Sequence, residues 1–132
     1  MIQHIIDNIW IGDWQDAKKY WREFDKIFTV AKDSPFIGEY YYPMIDGSYS
    51  ENERLLYRAI FDLVTYRSNN MGNVLVHCIS GISRSTTVIA GYMINKGYIT
   101  DDAIEYIKTI RPSAEPVPEL VRLLKKYERS II

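Results

Sequence analysis

The residues with the most chemical potential stand together in His77-Cys78-Ile79-Ser80-Gly81-Ile82-Ser83-Arg84-Ser85. A thiol at the end of an apolar strand, five loop residues and an arginine opening a helix make a cradle for an oxyanion. The loop's backbone N–H groups and the helix N-terminus converge on one concavity. Gly81 supplies the backbone freedom such a curl needs. Arg84 can hold two oxygens of one phosphate with its planar fork, which lysine cannot. The same surroundings favour the thiolate, so Cys78 is the candidate nucleophile, with Ser85 placed to offer its hydroxyl to the sulfur. Ile79, Ser80, Gly81, Ile82, Ser83 and Arg84 form the candidate phosphate loop. A lone cysteine is ordinarily a small buried hydrophobe, and a helix-start arginine sits at the wrong end of the dipole. Finding both at this spacing, with Gly and Ser between, outweighs the two plain readings.

Outside that segment, the runs Ile2–Ile6 and Ile9–Ile11 read as strands joined by the turn pair Asp7-Asn8. Asp13 is the expected N-cap of a helix from Trp14 to about Phe24, its apolar stripe Trp14, Ala17, Trp21 and Phe24. Lys26–Ala31 and Glu39–Ile45 read as further strands. Ser50-x-x-Glu53 has the form of a capping box, opening a helix through Val64. After the turn signal Asn69-Asn70-Met71-Gly72 comes Asn73–Cys78, continuously apolar as a central strand is. Arg84–Asn95 reads as an apolar helix. Thr100 is the expected N-cap of the next, which Arg111-Pro112 stops, and Pro118 opens a last helix to about Ser130. Strands alternating with helices predict an α/β fold: one domain over residues 1–132 with a central, mostly parallel sheet of about five strands flanked by helices. The site then lies at the strands' carboxyl ends.

His-Cys-x-x-Gly-x-Ser-Arg-Ser resembles the signature of the cysteine-dependent, dual-specificity protein phosphatases. Ile9-Trp10-Ile11-Gly12, Arg84–Met93 and Ile110-Arg111-Pro112 extend the resemblance along nearly the whole chain. It implies hydrolysis of a phosphate monoester through a phosphocysteine intermediate. That reaction needs a proton donor for the leaving oxygen. Asp46, in a Gly-containing loop at a strand end, is the candidate, acting later as base on water; the plain alternative is a turn aspartate serving its own backbone. Asp33 competes, although Ser34-Pro35 beside it reads as turn chemistry, and Asp62 falls on a solvated helix face. Strand alternation turns His77 away from the phosphate and behind the loop, where the family uses it to support the loop. Pro116-Val117 stands where relatives often carry Pro-Asn, with the Asn bracing the loop, so that brace is in question.

The chain has 132 residues, 16 Lys+Arg against 17 Asp+Glu, and 47% hydrophobic residues. That is one ordinary globular domain, and its balanced charge argues against bulk binding to nucleic acid or anionic lipid. One cysteine excludes an internal disulfide, which suits a reducing compartment, and no apolar run is long enough to span a membrane. A cytoplasmic monomer is expected. Two histidines and one cysteine do not make a zinc site, so no metal and no cofactor are expected. The loop positions Ile79, Ser80, Ile82 and Ser83 carry no charge, whereas relatives acting on inositol lipids tend to place lysine there. Phosphorylated protein side chains, both tyrosine and serine/threonine, are therefore the expected substrates. The alternatives are non-protein phosphate esters (lipid or RNA 5′ ends) and a phosphopeptide-binding module without turnover.

Overall fold

The computed structural model describes residues 1–69 and 72–131. Strand β1 (Gln3–Ile6) turns back at Asp7 into β2 (Ile9–Gly12). Asp7 has φ 52°, a left-handed conformation that a short polar side chain tolerates. Asp13 caps α1 (Trp14–Tyr20) through a reciprocal capping box with Asp16. Then follow β3 (Lys26–Thr29), the two-residue β4 (Tyr40–Tyr41), α2 (Asn52–Asn69) and β5 (Val74–His77). Helices α3 (Arg84–Asn95), α4 (Thr100–Ile110) and α5 (Pro118–Ile131) complete the chain.

The sheet order is β1-β2-β5-β3-β4. Only β1 and β2 pair antiparallel; the other three ladders are parallel. All four residues of central β5 are buried, as a parallel strand covered on both faces requires. Its side chains divide by alternation. Leu75 joins Ala17 of α1 and Ile27 on one face, while Val74 and Val76 join the main core on the other. There α3 runs almost wholly buried among α2, α4 and α5. Gly91 permits this, because a Cβ on it would collide with the Ile60 side chain of α2. The register sets His77 of β5 beside Gly12 of β2 and Thr29 of β3. Three parallel strands thus end together, and the next residue in the chain is Cys78.

Four local expectations need correction. Tyr40–Tyr41 replaces the strand expected over 39–45, because Pro43 lacks the N–H that a continuing ladder needs. Helix α1 tightens after Tyr20 into a single 3-10 turn, Trp21–Glu23. The change of pitch swings Trp21 out of the stripe, leaving it 45% exposed beneath the Arg22 guanidinium. Glu53 does not reach back to close a capping box with Ser50; it takes Lys126 at 3.0 Å. Thr100 lies inside α4 rather than capping it. The cap comes instead from α5, where Glu128 accepts both the Thr100 N–H (2.8 Å) and its hydroxyl (2.7 Å). A carboxylate at a helix start is favoured by the dipole wherever it comes from in the chain. Of the turn expected at Asn69-Asn70-Met71-Gly72, Asn70 and Met71 lie outside the described residues.

Candidate active site

Between β5 and α3 the chain makes one tight curl, and its five successive carbonyls are all tied down. Cys78 O accepts from His77 Nδ1 (3.0 Å) and Ile79 O from Trp14 N–H (3.1 Å). Ser80 O and Gly81 O accept from Nη2 (3.3 Å) and Nε (2.8 Å) of Arg111. Ile82 O accepts from Glu115 N–H at 2.8 Å. In a trans peptide the N–H points opposite to the C=O. Holding these carbonyls against the surrounding structure therefore turns the amides of 79–83 the other way, into the curl. Gly81 N–H donates to Cys78 Sγ at 3.3 Å. Ser85 Oγ lies 3.3 Å from the same sulfur, as its place in the first turn of α3 suggested.

Gly81 is indispensable to the curl. Its φ is 71°, and a Cβ would lie 2.6 Å from Arg111 Nη2 and 2.7 Å from Gly12 O. Cys78 and Ser85 are buried, and Arg84 is only 7% exposed. Two groups hold Arg84 by one nitrogen: Nη1 donates to Asp33 Oδ1 (2.8 Å) and to Met44 O (3.0 Å). Its Nε is buried without a hydrogen-bond partner among the described residues. A buried, unsatisfied guanidinium edge is costly unless an anion completes it. Asp33 is thus paired with Arg84, whereas Asp46 takes the Ser83 hydroxyl. Burial works to raise the Asp33 carboxyl, yet the Arg84 hydrogen bond and charge outweigh it and hold the group below its usual range.

His77 sits behind the loop, fully buried, where alternation set it. Its Nδ1–H donates to Cys78 O, and in the neutral ring Nε2 accepts from the Thr29 hydroxyl at 2.7 Å. Thr29 Oγ1 in turn accepts Gly38 N–H at 2.8 Å. Burial lowers the proton affinity of this imidazole and so favours its neutral form.

Asp46 is exposed at the rim, where Oδ1 accepts the Ser83 hydroxyl at 2.6 Å. The same Ser83 oxygen accepts Val117 N–H at 3.1 Å. The brace in question at Val117 is thus made by its backbone, which any residue but proline can supply. Asn52, at the start of α2, holds the Asp46 loop: its amide donates to Ile45 O (2.6 Å) and Gly47 O (3.1 Å), and its oxygen accepts Ile45 N–H (3.0 Å).

The structure brings Cys78, loop 79–83, Arg84 and Ser85 together, with His77 behind and Asp46 at the rim. Sequence reasoning missed three supports: Arg111, Asn52 and Thr29. For Arg111 the available signal was an arginine at a helix end beside Pro112, which reads equally well as a solvated stop. Thr29 gave none, since its partner His77 is forty-eight positions away, and Asn52 gave none because an asparagine after Ser-Glu reads simply as part of the helix start. Among the described residues no group of three or more His, Cys, Asp or Glu could hold a metal ion.

A family model for the dual specificity phosphatase catalytic domain matches residues 14–130. The chain belongs to that family, and with it to the cysteine-dependent phosphatases. It is 30% identical over 131 residues to "Putative tyrosine phosphatase 123R" of Invertebrate iridescent virus 6, covering 95% of this chain and 90% of that one. It is 30% identical over 106 residues to dual specificity protein phosphatase 1B of Arabidopsis thaliana, covering 78% of this chain and 64% of the plant protein. The chain therefore spans most of the viral relative but less than two thirds of the plant one. In fold it is similar to a variant of human DUSP28, with a TM-score of 0.86 at 23% identity over 98% of this chain and 95% of that one.

Proposed function

We propose that this protein hydrolyses phosphotyrosine and phosphoserine/threonine in protein substrates through a phosphocysteine at Cys78. The observation that carries the reading is the outward tethering of five consecutive carbonyls, Cys78 to Ile82, by four residues: His77, Trp14, Arg111 and Glu115. Amides fixed in that direction before substrate arrives stabilise a phosphoryl group at no cost in reorganisation, and such fixed dipoles usually contribute more to catalysis than any other effect.

In the first step Cys78 Sγ attacks phosphorus, the P–O bond to the substrate breaks, and Asp46 gives its proton to the departing oxygen. In the second, Asp46 takes a proton from water, whose oxygen attacks phosphorus and releases the thiolate and inorganic phosphate. Arg84 grips the equatorial oxygens throughout, and Ser85 stabilises the sulfur each time it leaves or forms as an anion. Uncharged Ile79, Ser80, Ile82 and Ser83 around the mouth favour a singly phosphorylated side chain over a multiply phosphorylated ring.

Turnover of 4-nitrophenyl phosphate, blocked by vanadate, indifferent to chelator and abolished in Cys78→Ser, is the expected result. A panel of phosphotyrosine, phosphoserine and phosphothreonine peptides then measures breadth. Tight phosphopeptide binding with no turnover would replace this reading with that of a binding module.

A further inference from the structure

Of the carboxylates near the site, Asp33 has no part in the proton transfers just described, yet it makes the only ion pair to Arg84 among the described residues. A guanidinium has two faces for hydrogen bonding. Here Nη1 spends both of its protons, one on Asp33 Oδ1 and one on Met44 O. Nε is buried and unpaired, and the edge it forms with Nη2 is the one that can meet two oxygens of a phosphoryl group side by side. Asp33 and the incoming anion thus take opposite sides of one cation rather than competing for the same protons.

We infer that Asp33 is a positioning residue: by anchoring Nη1 it aims the free edge of Arg84 at the phosphoryl group before substrate binds. The inference rests on the phosphatase reading above. Arginine carries large rotamer freedom, which a bound state must remove. An anchor on the far nitrogen removes it in advance, and preorganisation of this kind appears as affinity and rate. The carboxylate is itself largely exposed, with 66% side-chain accessibility against 9% for Arg84. Substituting it therefore disturbs the anchor without opening a hole in the core.

The decisive comparison sets Asp33→Asn and Asp33→Glu beside the native chain. Steady-state kinetics use 4-nitrophenyl phosphate and the poorer-leaving phenyl phosphate, and tungstate affinity is read by calorimetry. The Asn variant is expected to lose about tenfold in kcat/KM on both esters alike. Tungstate should bind it weaker by a similar factor, the shape of the pH–rate profile should be unchanged, and Asp33→Glu should recover part of the loss. Loss confined to phenyl phosphate, with the alkaline limb of the profile gone, would make Asp33 the proton donor and overturn positioning. Unchanged or tighter tungstate binding in Asp33→Asn would overturn it too, the tighter case showing that the carboxylate opposes the anion. The calorimetric arm separates the two ideas. A tenfold tungstate effect in a native chain that turns nothing over refutes the phosphatase reading while upholding positioning; equal affinities beside vigorous turnover do the reverse.

Discussion

The phosphate loop and the Asp46 loop face one another across the same site but are built in opposite ways. The first is anchored by buried Cys78, Gly81 and Ser83 although Ser80 is exposed, and its backbone is clamped at every carbonyl from Cys78 to Ile82. The second is exposed at Ile45 and Asp46, and among the described residues side chains hold it through Asn52 and through Ser83. A site that must present fixed dipoles to a phosphoryl group gains from rigidity. A group that must give a proton to substrates of different depth, then receive one from water, gains from a loop that can adjust. The contrast makes anion binding and proton transfer separable by mutation.

The largest separation is expected from Asp46→Asn. Hydrolysis of phenyl phosphate should fall by about 10²–10³-fold, the contribution typical of general acid catalysis, with tungstate affinity retained. Kinetics on leaving groups of graded acidity check it, and a uniform loss across the series would erase the contrast. Arg111→Ala attacks the rigid side. It leaves Ser80 O, Gly81 O, Met1 O and Gln3 Oε1 without the Arg111 donor. A stability loss of about 2–3 kcal/mol by denaturant melt is expected, with weaker tungstate binding as well. Asn52→Ala attacks the adjustable side, and should cost only several-fold in rate, concentrated on poor leaving groups and without effect on tungstate.

The smallest effect concerns pH. Burial keeps His77 neutral in the folded chain, whereas the unfolded chain takes up its proton near 6.5. The unfolded state then binds more protons below that value, so His77 favours folding fully above pH 6.5 and less as the pH falls through it. Between pH 7.5 and 5.5 the native chain should lose more stability than His77→Gln. Equal slopes in paired melts would show that the imidazole is charged in place.

What could be read from the sequence was whatever is written locally. Cys78, Gly81, Arg84 and Ser85 lie within one strand-loop-helix unit, where spacing alone decides geometry. The hairpin at Asp7-Asn8 and the Asp13 cap are equally local, and the continuous apolar run before Cys78 marked the central strand. Thr100 and Glu53 went otherwise because their partners, Glu128 and Lys126, come from α5. The division between a clamped loop and an adjustable one was illegible for the same reason. Arg111 reaches back thirty residues to Gly81 and Glu115 likewise to Ile82, while Asn52 holds Ile45, seven residues back, through a loop whose path no local pattern gives. The pairing of Asp33 with Arg84 spans fifty-one positions, so a turn-like Asp-Ser-Pro sequence concealed it.

In the proposed mechanism a covalent phosphoryl group resides on Cys78 during turnover. Rapid acid quenching of the native chain with 4-nitrophenyl phosphate, followed by mass spectrometry of the Cys78 peptide, tests it directly. One phosphoryl group is expected on that cysteine, accumulating further in Asp46→Asn because water attack is slowed, and none in Cys78→Ser, which should be inactive. Turnover persisting in Cys78→Ser, or product release with no phosphoryl group ever found on that sulfur, would contradict it.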